Sequence, residues 1–392
     1  MPPVLAPADD DAAIGRASHK ENNAMHGNDW SRRQVLKGAL GAMAAAAWPL
    51  RAQAATPARK PLGVALVGLG GYSEGRLAPA LQLTRHCRLA GVVTGTPAKA
   101  QAWQAKYQLP DRNVYSYDNF ASIADNPDID VVYVVLPNSL HAKYTIAAAE
   151  AGKHVWCEKP MAMNAGEAQR MIDACARNKV KLAIGYRMQH EPNTRRIISW
   201  VDEKPYGAIR RVRAEAGFNA FDGASPDNWR LDPARGGGAM YDMGVYSLNG
   251  ARYATGLEPL AVTQARHETR RPQLFDRVDE TTRFTLEFPG GIVADCATSF
   301  GINMNQLHVD CERGWYELSP FQSYDGIKGR TSDGKVLDAK VQHQQALQMD
   351  EDALALIQGT PLRAPGEEGL ADMRVMDAIF ASARAGGKKV TV

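Results

Sequence analysis

Cysteine is scarce in this chain and is arranged for neither bridges nor metal. Five cysteines among 392 residues form an odd set with no C-x-x-C pair. That excludes a disulfide framework and a cysteine-built zinc site. Cys87, Cys157, Cys175, Cys296 and Cys311 therefore read as buried core thiols. Excess charge is also missing, since 46 Lys and Arg stand against 43 Asp and Glu for a net +3. Such a balance offers no basic stripe and excludes a nucleic-acid partner. His267, His308 and His343 show no ligand spacing, so no metal is expected. No apolar run reaches the roughly 20 residues a bilayer needs, which argues against a stable membrane anchor. What remains is an ordinary globular composition, 45% hydrophobic and 23% charged, with length enough for two cored domains.

The first 54 residues read as a leader rather than fold. Met1–Trp30 is polar and aperiodic, and then Ser31-Arg32-Arg33-Gln34-Val35-Leu36-Lys37 opens a short Ala-rich stretch ending at Ala52-Gln53-Ala54. Paired arginines, a brief apolar segment and a small-x-small site predict a twin-arginine signal peptide, hence export to the periplasm. Such a route carries folded proteins, so any nucleotide is expected to be loaded beforehand and then retained. Residues 55–61 form a short N-terminal arm.

A dinucleotide-binding pattern follows over 62–185. The apolar run Leu62–Val67 suits a strand buried on both faces. It runs into Gly68-Leu69-Gly70-Gly71-Tyr72-Ser73 and a helical stretch, the strand–turn–helix context of the G-x-G-x-x-G/A fingerprint. Gly68 permits the tight turn, and Gly70 lets backbone approach a pyrophosphate at the helix start. The next strand ends at Thr94-Gly95-Thr96-Pro97-Ala98-Lys99, with no acid for a ribose 2′-OH. A hydroxyl and a lysine suit a 2′-phosphate, so the expected cofactor is NADP. The bland reading leaves Lys99 solvated, and Tyr117 packing rather than lying near an adenine. Further strands end at Leu136-Pro137-Asn138-Ser139-Leu140-His141 and at Cys157-Glu158-Lys159-Pro160, and open α/β sheets bind ligands at those carboxyl ends.

These segments, together with Gly152-Lys153-His154, Ile184-Gly185-Tyr186-Arg187, Asn228-Trp229-Arg230-Leu231, Gly236-Gly237-Gly238 and Pro365-Gly366-Glu367-Glu368-Gly369, resemble the Gfo/Idh/MocA oxidoreductase family. Within it the chain is most similar to the glucose–fructose oxidoreductase branch. The resemblance implies an α/β fold: a Rossmann domain, then over 186–392 an α/β domain built on a large, mostly antiparallel open sheet. It also implies homo-oligomerisation through that sheet and small-molecule sugars as substrates. The segments themselves agree, with alternation over Ala208–Phe218 and hairpin turns at Pro289-Gly290-Gly291 and Arg313-Gly314.

Within the resemblance, the lysine of Glu158-Lys159-Pro160 orients the substrate hydroxyl. The residue matching Tyr246 is the acid/base, where many relatives carry histidine. Asp242 and Tyr246 lie four apart on a predicted helix Ala239–Tyr253 and so share a face. Lys159, Asp242 and Tyr246 are thus the expected catalytic set, joined by Arg187 at the substrate. A phenol serves as base only when a cation lowers its free pKa of about 10. The cofactor set is Gly68, Leu69, Gly70, Tyr72, Thr94, Lys99, Tyr117, Leu136, Asn138, His141, Glu158, Lys159, Arg187, Trp229 and Arg230. Against these stand bland readings: His141 as a helix cap, Trp229 as core and Glu158 as an internal ion-pair partner.

The expected activity is oxidation of an aldose at C1 to the lactone, with the hydride passed to a second sugar by ping-pong on tightly bound NADP. Alternatives are a dehydrogenase with dissociable cofactor, an NAD-dependent glycoside hydrolase of the same superfamily, and a catalytically silent sugar sensor.

Overall fold

Six parallel strands make the first sheet: β1 (Leu62–Val67), β2 (Cys87–Val93), β3 (Val114–Tyr115), β4 (Val131–Val134), β5 (His154–Cys157) and β6 (Leu182–Ile184). The computed structural model describes residues 60–221 and 228–392. The expected signal peptide (1–54) and all of the arm before Lys60 lie outside them.

Spatial order is β3-β2-β1-β4-β5-β6, so the chain reverses its direction of travel between β1 and β4. Ligand crevices in such sheets open at that switch point. The central strands read as continuous apolar runs because both faces are covered. On one face Val132, Val134 and Val155 pack with Ala148, Met171 and Ala174 of the helices His141–Glu150 and Ala165–Arg177. On the other face Leu66, Tyr133 and Trp156 pack with Leu77 and Trp103.

That second face is completed from far along the chain. Met349 and Ala353 of the helix Gln344–Gln358 join the same cluster, and the Ile184 N–H donates to Ala364 O at 2.8 Å. Residues beyond Gly185 thus contribute to the core of the first sheet.

A nine-stranded sheet forms the second domain. Its strands are β7 (Ile209–Gly217), β8 (Ala261–Glu268), β9 (Thr281–Glu287), β10 (Val293–Ser299), β11 (Met304–Cys311), β12 (Gly314–Leu318), β13 (Gly329–Thr331), β14 (Val336–Leu337) and β15 (Val390–Thr391). Their order is 14-13-12-11-7-10-9-8-15. Among the described strands of this sheet, only β7 and β10 pair in parallel. The turn between β9 and β10 uses Gly290 and Gly291 at φ of +74° and +78°, a left-handed conformation that glycine adopts without steric cost. In β7, buried Val212, Ala214 and Ala216 alternate with Arg211, Arg213 and Glu215 on the open face. The buried face packs beneath the helices Val245–Thr255 and Gly366–Arg384.

Strand β8 carries no readable alternation in sequence, because Gln264 takes φ +55° and the register slips between Thr263 and Arg266. A bulge of this kind breaks the period of two. The cysteines form no bridge: four are buried and Cys311 is half-buried.

Candidate active site

The glycine turn is shaped by one contact and one open space. Gly68 sits at φ +95°, and a Cβ there would lie 2.3 Å from Val135 O, so no other residue fits. Ser73 Oγ closes the turn by donating to Gly68 O at 2.6 Å. Beside it, a Cβ on Gly70 or Gly71 would meet nothing within 4 Å. That bare backbone faces a cleft of about 570 Å³. The helix that follows starts with a π-turn, Ser73–Leu77, a deformation frequent at functional sites.

Leu69, Tyr72, Thr94, Lys99, Tyr117, Leu136 and Asn138 line this cleft with the glycines, and Glu158, Lys159, Trp229, Arg230 and Asp242 continue it. An open glycine cradle at a switch point, with a lysine and no acid beside it, fits a dinucleotide. At the second-strand end Thr94 Oγ1 accepts from the Thr96 N–H at 3.2 Å. Lys99 Nζ reaches Leu69 O at 3.3 Å, joining the two loops. The carboxylates lining the cleft are Glu158 and Asp242, neither of them on the Thr94–Lys99 loop.

At the far end, the ends of two domains meet. Lys159 follows β5, and its ammonium donates to Asp242 O at 2.8 Å, with Asp242 Oδ1 at 3.4 Å. The same ammonium stands 4.8 Å from the Tyr246 ring centre. Asp242 lies in a second π-turn, Met240–Gly244, and Tyr246 in the helix Val245–Thr255. Arg230 Nε donates to Asp242 Oδ2 at 2.9 Å, with its guanidinium over the Trp229 ring at 4.5 Å. Burial disfavours the Lys159 ammonium, but the Tyr246 phenol and the Asp242 carboxylate outweigh it and hold the lysine charged. Burial likewise opposes the Asp242 carboxylate, and Lys159 with Arg230 overcome it, keeping the acid ionised. The expected catalytic set is thus assembled, although its members are far apart in sequence.

Three expected site residues do not line the cleft. His141 is buried, its ring nitrogens 2.9 Å from Pro160 O and 2.8 Å from Leu136 O. Burial lowers its pKa, and the imidazole clips the β4 and β5 loops together rather than facing a ligand. Arg187 is also buried, 5.5 Å from the Tyr246 ring centre and 4.3 Å from that of Tyr324. It supports the two phenols from inside the protein. Tyr246 itself is 9% exposed, set behind Lys159.

The glycine run before the helix lets parts of the chain pack closely together. A Cβ on Gly236 would strike Asn138 at 2.7 Å, on Gly237 would strike Arg230 O at 2.5 Å, and on Gly238 would strike Asp279 at 2.1 Å. The close approach is to the protein's own chain, not to a ligand. Asn138 Nδ2 donates to Gly236 O at 2.8 Å, so that side chain ties the domains together at the cleft wall.

Sequence reasoning missed Tyr324 and Arg76. Tyr324 lines the cleft from the loop after β12, and the Arg76 guanidinium stands 4.4 Å from its ring centre. A lone tyrosine in a Ser/Asp/Gly loop carries no signal of its own.

Asn249 and the motif residues Glu368 and Tyr186 serve support. Asn249 Nδ2 donates to Glu368 at 2.9 Å and Asp372 at 3.1 Å, and Tyr186 Oη donates to Asp372 at 2.6 Å. Arg252 pairs with both acids. This buried network pins the helix bearing Tyr246 to the helix Gly366–Arg384.

Comparison with known proteins agrees with this architecture. Residues 62–186 match the oxidoreductase family with an NAD-binding Rossmann fold, and 194–317 match the GFO/IDH/MocA C-terminal domain. The D-xylose 1-dehydrogenase [NADP(+)] of Haloarcula marismortui is 30% identical over 337 residues, which is 84% of this chain and 92% of that one. The crystal structure of aldose-aldose oxidoreductase from Caulobacter crescentus, in complex with glycerol, is 38% identical with a TM-score of 0.81, covering 85% of this chain and all of that one. A levoglucosan dehydrogenase structure, at 22% identity and a TM-score of 0.73 over 85% of this chain and all of that one, shares the fold. Similarity sustained through both domains makes the chain a member of the Gfo/Idh/MocA oxidoreductase family, binding a nicotinamide dinucleotide in its Rossmann domain.

Proposed function

We propose that this protein is a periplasmic, NADP-dependent sugar oxidoreductase that oxidises an aldose at C1 and reduces a second sugar in a ping-pong cycle. The observation carrying this reading is the Lys159 ammonium, held 3.4 Å from Asp242 and 4.8 Å from the Tyr246 ring, in a cleft continuous with the glycine turn. A nicotinamide bound there supplies the place where a hydride is accepted and returned. Oxidising a C1 alcohol also requires loss of the O1 proton, and we assign that role to Tyr246, whose ring contacts the cleft-lining Lys159. Lys159 orients the hydroxyl and stabilises the phenolate form of Tyr246 that accepts this proton. Asp242 and Arg230 fix that lysine's position. Lys99 and Thr94, with no acid on their loop, favour the 2′-phosphate of NADP. The substrates that give two of the relatives their names, D-xylose and aldoses, support a sugar. The charged open face of the nine-stranded sheet, with Arg211, Arg213 and Glu215, is the proposed homo-oligomer surface.

The test is to purify the protein from a periplasmic fraction, denature it and identify any released nucleotide, then add paired sugars to the native protein without free cofactor. Bound NADP and exchange between the sugars are expected. Material without nucleotide and inert toward paired sugars would overturn the reading. A second reading, a dehydrogenase that exchanges NADP with a pool, is favoured by the name of the haloarchaeal relative. It predicts turnover only when free NADP is supplied.

A further inference from the structure

Behind the cleft lies a run of buried polar groups that hydride transfer itself does not use. Glu158 lines the cleft and is 7% exposed. Its Oε1 accepts from Tyr133 Oη at 2.7 Å, and Tyr133 Oη accepts from Gln348 Nε2 at 3.4 Å. Gly185 makes room for this carboxylate, since a Cβ there would lie 2.7 Å from Glu158 Oε1. Gln348 belongs to the late helix Gln344–Gln358, and Asp352 follows it by one helical turn.

Among the described residues, four atoms at this point have no hydrogen-bond partner: Gln348 Oε1, both carboxylate oxygens of Asp352, and His190 Nε2. Asp352 is 1% exposed and His190 0%, and Asp352 Oδ1 lies 3.9 Å from His190 Nε2. Groups so deeply buried are satisfied by internal water when protein supplies no partner. Across the ring, His190 Nδ1 lies 2.8 Å from Glu351 Oε2. Glu351 is partly exposed and pairs with Arg195 and Arg363 at the surface.

We propose that Glu158, Tyr133, Asp352, His190 and Glu351, with water bound at Gln348 and Asp352, form a proton path joining the inner end of the cleft to solvent. The proposal rests on the sugar-oxidation reading. There, the C1–H bond breaks with its electron pair going to the nicotinamide, and the O1–H proton goes to Tyr246. Between the half-reactions that proton can pass from Tyr246 to solvent, and one can return before the acceptor is reduced. The buried path supplies a route to solvent that does not run through the cleft. The groups facing Asp352 are His190, Glu351 and Arg363, with Gln348 beside it. Burial raises the Glu158 pKa and pushes that of Asp352 up to about 6.

The experiment is a single turnover of the NADP-loaded full chain with excess D-xylose or D-glucose. Reduced-nicotinamide absorbance and a pH-indicator dye are followed together in weak buffer. In the wild type, proton release should keep pace with hydride transfer. In Asp352→Asn, and separately in Gln348→Leu, hydride transfer should persist while proton release lags by about tenfold or more, a barrier change of roughly 1.4 kcal/mol. Added formate should restore the rate in Asp352→Asn, an effect that a merely structural role would not produce. Proton release unchanged in both variants, beside a normal hydride signal, overturns the path alone. No hydride signal in the wild type overturns the sugar-oxidation reading and the path with it.

Discussion

Lys159 makes its shortest contact with Asp242 through the backbone carbonyl at 2.8 Å, closer than the carboxylate oxygen at 3.4 Å. The lysine is thereby fastened to the π-turn itself, and the carboxylate is left to balance two cations, Lys159 and Arg230. Asp242→Asn should keep the lysine in place yet leave that charge uncompensated. Turnover is expected to fall by about 10²-fold, the lower range for positioned acid–base groups, with nucleotide binding unchanged by fluorescence titration. Undiminished kcat would show that the carboxylate has no part in the chemistry.

Two neighbouring glycines should respond in opposite ways. Gly68→Ala places a Cβ 2.3 Å from Val135 O at φ +95°, so soluble yield and melting temperature should drop. Gly70→Val adds atoms only to open space. Its melting temperature without nucleotide should match wild type while NADP affinity falls by tenfold or more, about 1.4 kcal/mol. Equal loss of folding in both variants would contradict the cradle.

The pairing of Arg252 with Glu258, Glu368 and Asp372 is buried on the arginine side, and Asp372 is fully enclosed. Arg252→Met strands two inner carboxylates. Denaturant unfolding should show a loss of about 3–5 kcal/mol, the usual cost of orphaning a buried charge. A change below about 1 kcal/mol would mean that the acids are protonated in the native state.

Asp352 supplies a pH signature. Burial raises its folded pKa to about 6, above that of an unfolded carboxyl, so the native state holds the proton more tightly. Its stabilising contribution is complete below about pH 4 and disappears as pH rises through about 6. Asp352→Asn should therefore be more stable than wild type at about pH 7.5, by on the order of 2 kcal/mol. That gain should vanish near pH 4. A constant difference across this range would show that Asp352 does not titrate there.

Local chemistry makes much of this protein legible in its amino-acid sequence. A parallel strand enclosed on both faces must be apolar throughout, so Leu62–Val67 is recognisable as one. A turn that permits no side chain must be glycine, so Gly68 stands out as well. The hairpin at Gly290 and Gly291 follows from the same rule. Lys159, Asp242 and Tyr246 are recognisable through the family resemblance, and the fold brings them together. Other roles depend on distant parts of the chain. His141 and Arg187 have the residue types of ligand contacts but face the protein's own carbonyls and phenols. The helix Gln344–Gln358 returns across some 150 residues to cover a sheet formed much earlier. Tyr324 reaches the cleft by the same kind of long-range approach. Pattern and conformational preference operate over a few residues and so are written in the chain. Which surface a buried polar group meets depends on how the remainder packs, and no short segment contains that information.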